Sequence, residues 1–94
     1  MKISGFIWLE DIVEKLWNKH NVDAEEVLEV FSSTPHFRFV ETGFRDGEDV
    51  YAALGRTEAG RYLIVFFVYK LDRQALVVSA RDMTTAERKR YDRR

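Results

Sequence analysis

Apolar residues along this chain change their spacing several times, and each change marks a boundary. Ile3, Phe6, Ile7, Trp8 and Leu9 form a short apolar run that predicts a first strand over Ile3–Leu9. From Glu10 the apolar positions become Ile12, Val13, Leu16 and Trp17, which is the spacing of a helix over Glu10–His20. Asn21 follows at once, and asparagine tolerates the left-handed conformation that commonly ends a helix. Lys19 and His20 then fall on the last turn, where positive charge meets the negative end of the helix dipole.

A second helix opens at Asp23, which forms an Asp-x-x-Glu cap with Glu26, while Val22 and Val27 are spaced as a hydrophobic staple. Ala24, Val27, Leu28 and Phe31 share one face, and Pro35 disfavours helix at Thr34. Four strand patterns follow, over His36–Glu41, Val50–Gly55, Tyr62–Tyr69 and Ala75–Ala80. Arg45-Asp46-Gly47-Glu48 reads as a turn, and Gly60 lies in the short connection between the second and third of these strands. Tyr62–Tyr69 is apolar on both faces, so it is the expected central strand. Thr84 and Glu87 complete a capping box for a final helix. The predicted order is β-α-α-β-β-β-β-α, an α+β fold with helices over one face of a mainly antiparallel sheet.

Composition narrows the class. A chain of 94 residues supports one modest core, so residues 1–94 read as a single domain. Cysteine is absent, which excludes disulfides and thiolate chemistry and fits a reducing cytoplasm. Tyr62–Tyr69 is the longest apolar run and falls far short of the roughly 20 residues of a membrane helix. The first residues lack the pattern of a secretory signal, so a cytoplasmic protein without membrane contact is expected.

Charge is unevenly distributed beneath a net −1. Residues 1–58 carry six Lys/Arg against twelve Asp/Glu, a net of −6, and residues 59–94 carry nine against four, a net of +5. A balanced total argues against nonspecific coating of nucleic acid, whereas a basic end provides a local face for phosphates. The plainer account is a solvated helix at a chain end.

Several short motifs recur in a fixed order: Phe6-Ile7-Trp8-Leu9-Glu10, Lys19-His20-Asn21-Val22, Glu29-Val30-Phe31, Gly47-Glu48-Asp49-Val50-Tyr51, Gly55-Arg56-Thr57, Val78-Ser79-Ala80-Arg81 and Glu87-Arg88-Lys89-Arg90-Tyr91. Together they resemble the BrnT family, the toxin halves of bacterial type II toxin–antitoxin pairs, over nearly the whole chain. Leu9 stands where that family usually has Asp, and Asn21 where it usually has Gly. The resemblance implies a RelE-like fold, with two N-terminal helices packed on the sheet and a C-terminal helix. It also implies a ribonuclease that halts translation and a small antitoxin that neutralises it. An antitoxin of the ribbon-helix-helix type is the expected partner, in an oligomeric complex that touches DNA only through the antitoxin.

Cutting RNA without a metal requires a base for the 2′-hydroxyl, cations for the phosphorus oxygens and an acid for the leaving oxygen. Arginine suits the second task because its planar fork pairs with phosphate through two hydrogen bonds. Arg56, in a turn after Gly55, and Arg81, where a strand leaves the sheet, are the leading candidates. Each has a plainer alternative, an ion pair with Glu58 and with Asp82 or a helix carboxylate respectively. Tyr91, His20 and Lys19 are candidates for proton transfer, although Tyr91 also fits a core anchor and His20 and Lys19 fit helix-end cations. Arg88 and Lys89 would steer RNA by charge. Trp8 and Trp17 fit the core, and family position gives Trp8 a claim to the RNA surface. No metal site or cofactor is expected, since no ligand spacing or phosphate loop occurs. Two other functions fit the same residues: a non-catalytic module that binds an antitoxin-like partner in a repressor complex, and an RNA-binding protein without turnover.

Overall fold

In the computed structural model, which describes all residues from Met1 to Arg94, eight elements follow one another in the expected order. They are β1 (Gly5–Ile7), α1 (Glu10–His20), α2 (Ala24–Ser32), β2 (His36–Glu41), β3 (Val50–Arg56), β4 (Tyr62–Tyr69), β5 (Gln74–Asp82) and α3 (Thr85–Asp92). The strands form one sheet in the order β1-β5-β4-β3-β2. Every pairing is antiparallel except β1 with β5, which is parallel. The fold is α+β, and β4 is the middle strand, as its two-sided apolar pattern predicts.

Helix boundaries follow local chemistry. Asn21 takes φ 55° and ψ 38° and closes α1, its N–H donating to the Trp17 carbonyl at 3.0 Å. Asp23 accepts from the Glu26 N–H at 2.8 Å while Glu26 accepts from the Asp23 N–H, so both halves of the cap on α2 are present. Val22 and Val27 are fully buried, as a staple requires. The start of α1 is weaker. Leu9 occupies its N-cap position in extended geometry and supplies no side-chain hydrogen bond.

Alternation along β4 builds two separate cores. Leu63, Val65 and Phe67 join Leu16, Val22, Val27, Val30, Ala53 and Val77 beneath α1 and α2. Phe67 is fully buried there, with Phe31, Phe37 and Tyr51 rings 5.3, 6.0 and 6.1 Å away. Gly55 lets α2 approach β3 closely. A Cβ at that position would lie 2.8 Å from Ser33 Oγ and 3.0 Å from Val30 Cγ1.

The intervening residue Ile64 packs with Ala52, Leu54 and Tyr91 in a second, smaller core. The last helix therefore lies on the opposite side of the sheet from α1 and α2, which corrects the expectation that all helices share one face. The cause is pleating: β4 presents large apolar side chains on both sides, and each side needs cover. Trp17 differs from expectation too, being 53% exposed.

Candidate guanidinium face

Strand β5 carries one irregularity that decides how the molecule presents its charge. Phe66 pairs with Ser79 and Phe67 with Val77, leaving Val78 unpaired as a bulge. Before the bulge, Ala75 and Val77 point into the helix-covered core; after it, Ala80 does. Strict alternation would have put Arg81 beneath α1 with Ala75 and Val77. The extra residue turns Arg81 to the other face, opposite Ile64.

On that face Arg81 meets Glu87 of α3 through two hydrogen bonds, Nη1 to Oε1 at 2.8 Å and Nη2 to Oε2 at 3.0 Å. Arg38 of β2 approaches the same carboxylate, with Nη2 3.9 Å from Oε2. Glu87 also accepts from the Thr84 N–H at 2.9 Å in the predicted capping box. The Arg81 guanidinium holds the Glu87 carboxyl well below the usual carboxylate range, at about 2, with the Thr84 N–H and Arg38 adding to the effect. Glu87 in turn raises the pKa of Arg81, chiefly through their hydrogen bonds.

Two further guanidiniums lie along α3. Arg56 and Arg88 contact the Tyr62 ring, at 4.4 and 4.0 Å from its centroid, and Arg81 lies 5.6 Å from that of Phe66. Arg56 does not pair with Glu58. It donates instead to the Gly60 carbonyl, from Nε at 3.3 Å and Nη2 at 3.0 Å. Gly60 holds φ +93° there, the left-handed residue its turn needs. Arg56 pairs across the sheet with Tyr62, and Arg81 with Ile64 two residues on. The two arginines thus project to one side of the sheet, from the strands that flank β4.

No single hollow contains both. Arg56 borders the largest surface groove, about 810 Å³, whose rim carries Glu25, Glu29 and Glu58. Arg81 is absent from it. Three carboxylates around one arginine make that groove repulsive to a phosphate despite its size.

The other predicted positions fall as follows. Tyr91 is 7% exposed, packs on Ala52, Leu54 and Ile64, and stands edge-on to Tyr62 at 5.8 Å. Its side chain is nevertheless not sealed in as an orphaned buried hydroxyl. Lys89 is exposed on α3, beside Arg88. Lys19 and His20 end α1, on the side of the sheet away from α3. Trp8 packs against the larger core, its ring 6.2 Å from Phe6.

Sequence reasoning missed three residues that organise this end of the molecule. Arg38 and Tyr62 looked like ordinary strand positions, and only the sheet order brings them to α3. Arg61, next to Gly60 in the β3–β4 connection, is a clamp. Its guanidinium donates to Asp82 (2.8 and 3.3 Å), Glu26 (3.2 Å), and the carbonyls of Asn21 (2.8 Å) and His20 (2.9 Å). It holds Asp82 below the usual carboxylate range, chiefly through those hydrogen bonds, and the His20 charge contributes further. His, Asp and Glu side chains nowhere gather in threes as a metal site would require. No helix is long and apolar enough to cross a membrane.

One family model matches this chain, over residues 8–87, and its description is a ribonuclease toxin, BrnT, of type II toxin–antitoxin systems. No curated protein matches significantly.

Proposed function

Because the chain belongs to the BrnT family of ribonuclease toxins of type II toxin–antitoxin systems, we propose that it is a metal-independent endoribonuclease. It cuts RNA, so inhibiting translation, and a small DNA-binding antitoxin neutralises it. The observation that carries this reading is the set of three arginines, Arg56, Arg81 and Arg88, against the Tyr62 and Phe66 rings, with Arg38 reaching Glu87 beside Arg81. Guanidiniums interleaved with aromatic rings suit single-stranded RNA, whose phosphates need cations and whose bases stack.

In this reading the 2′-oxygen of a ribose attacks the adjacent phosphorus. The O2′–P bond forms as the 2′-hydroxyl proton passes to solvent water, and the P–O5′ bond breaks as O5′ takes up a proton, leaving a 2′,3′-cyclic phosphate and a free 5′-hydroxyl. Arg81, and Arg56 from its Tyr62 side rather than from the acidic groove, stabilise the extra charge on the non-bridging oxygens. Of the proton-transfer candidates, Tyr91 belongs to the same side as these arginines and is assigned the transfer to O5′. Lys19 and His20 lie behind β5 and are left with helix-end electrostatics. Arg88 and Lys89 supply attraction for the backbone.

Expression of wild type and Arg56→Ala in bacteria tests this. Growth arrest with cleaved RNA is expected from wild type, and relief of both from the variant. A harmless wild type that cuts no RNA at any salt concentration would remove the catalytic claim.

One observation favours a second reading, a non-catalytic partner-binding module: Nη1 and Nη2 of Arg81 are already engaged by Glu87. Co-purification with the product of an adjacent gene, with unchanged RNA on overexpression, would select it.

A further inference from the structure

Glu87 is an unusual ion-pair partner because it serves two arginines from distant strands. Arg38 lies on β2 and Arg81 on β5, with β3 and β4 between them. Both project onto the same side of the sheet, since Arg38 is opposite Ala52, which is opposite Phe66, beside Ile64 and its partner Arg81. Three strand spacings separate β2 from β5, about 14 Å of sheet. The small side chain of Ala52 leaves room for the long Arg38 to lean across that distance.

The carboxylate between them fits imperfectly. On the Arg81 side it makes two good hydrogen bonds; on the Arg38 side the 3.9 Å gap is too long for one. Two guanidiniums facing one carboxylate also leave an excess positive charge. A phosphodiester carries the same single negative charge as the carboxylate, but it is tetrahedral and larger, and would span both forks. We infer that Arg38 and Arg81 form a phosphodiester-binding pair, and that Glu87 occupies it in the free protein as an internal stand-in, making α3 a latch that RNA must displace. This rests on the ribonuclease reading above and adds to it a residue, Arg38, and a gate.

The helix is suited to release. Of its eight residues only Tyr91 is buried, and the rest of TAERKRYD is almost wholly polar. A helix this short has little stability of its own. Its remaining ties to the sheet are the packing of Tyr91 on Ala52, Leu54, Ile64 and the Tyr62 ring, the Tyr62 hydroxyl to Asp92 at 3.2 Å and the contact of Arg88 with Tyr62. Moving the first turn of α3 outward, with Tyr91 kept in place on Ala52, Leu54 and Ile64, would free Arg38 and Arg81 together and uncover the Phe66 ring on which Arg81 rests, a surface for a base.

Glu87→Gln separates the latch from the cap, because glutamine at this position still accepts from the Thr84 N–H and keeps α3 helical. The probe is a fluorescent single-stranded 2′-O-methyl oligoribonucleotide, which cannot be cut by 2′-oxygen attack, and its affinity is read by anisotropy across a salt series. Glu87→Gln should bind it about five- to tenfold more tightly than wild type, with a salt slope steeper by roughly 0.7 for each phosphate newly engaged. Arg38→Ala placed in the Glu87→Gln background should reverse most of that gain. Glu87→Asp, which withdraws the carboxylate by one methylene, should move in the same direction by less, and it serves if the glutamine variant proves unfolded. An unchanged affinity and slope in both Glu87 variants, or a gain that survives Arg38→Ala, overturns the inference. Cleavage of an ordinary oligoribonucleotide is scored in parallel. Tighter binding without cutting by any variant keeps the latch and removes the ribonuclease reading. A cutting wild type whose Glu87 variants bind no better does the opposite.

Discussion

Arg81 and Glu87 meet fork to fork, Nη1 donating to Oε1 at 2.8 Å and Nη2 to Oε2 at 3.0 Å. The pair joins the end of β5 to the first turn of α3, and the Glu87 side chain is only 15% exposed. It fixes the position of the last helix and the behaviour of the protein in acid.

Glu87 is held at about 2 in the folded protein against an ordinary value of 4.5. A depressed carboxylate contributes stability above its unfolded pKa and loses it as pH falls towards the folded one. The window is therefore pH 4.5 down to about 2, and with solvent screening of a pair this near the surface the contribution is on the order of 1 kcal/mol at neutral pH. Urea midpoints of wild type and Glu87→Gln should differ most above pH 5 and converge towards pH 2. A constant difference across that range would show that the pair contributes nothing through ionisation.

Arg81→Lys retains the positive charge and loses the planar fork. Cleavage of an oligoribonucleotide should fall at least about tenfold, equivalent to roughly 1.4 kcal/mol of barrier. Full activity in the lysine variant would mean that Arg81 acts through charge alone.

Leu9 stands at the N-cap of α1 without a capping oxygen and is 44% exposed. Leu9→Asp should stabilise the protein by about 1 kcal/mol, because an aspartate there accepts an orphan helix N–H and sits at the positive end of the dipole. In a domain of this size that corresponds to a melting temperature roughly 4–8 °C higher. A lower melting temperature would mean that the exposed leucine packs better than its accessibility suggests.

Arg61 gathers Asp82, Glu26 and the carbonyls of His20 and Asn21 at the junction of α1, α2 and β5. Arg61→Ala leaves all of them without this partner and should cost about 2 kcal/mol in denaturant unfolding. Arg61→Lys should recover less than half, since one ammonium cannot reach four directions. Equal stability of alanine and lysine variants would count against the clamp.

How much of this was visible in the chain differs by element. The three caps, at Asn21, Asp23–Glu26 and Thr84–Glu87, were legible because each depends on a few consecutive residues whose chemistry is local. The central position of Tyr62–Tyr69 was legible from its apolar residues on both sides. Arg56 and Arg81 were identifiable by residue type and motif, and so was a helix carboxylate, Glu87, as the partner of Arg81; for Arg56 the Gly60 carbonyl takes the place expected of Glu58. Arg38 and Arg61 went unnoticed because their partners lie 49 and 21 or more positions away.

By itself the sequence determined the elements, their caps and the concentration of positive charge near the end of the chain, since these follow from short-range spacing. Tertiary structure alone decided which way that charge points. One unpaired residue, Val78, reverses the side taken by every later side chain of β5, because strand side chains alternate with a period of two. That step brings Arg81 out from beneath α1, places it beside α3, and lets a carboxylate six positions later meet it together with an arginine from the far strand.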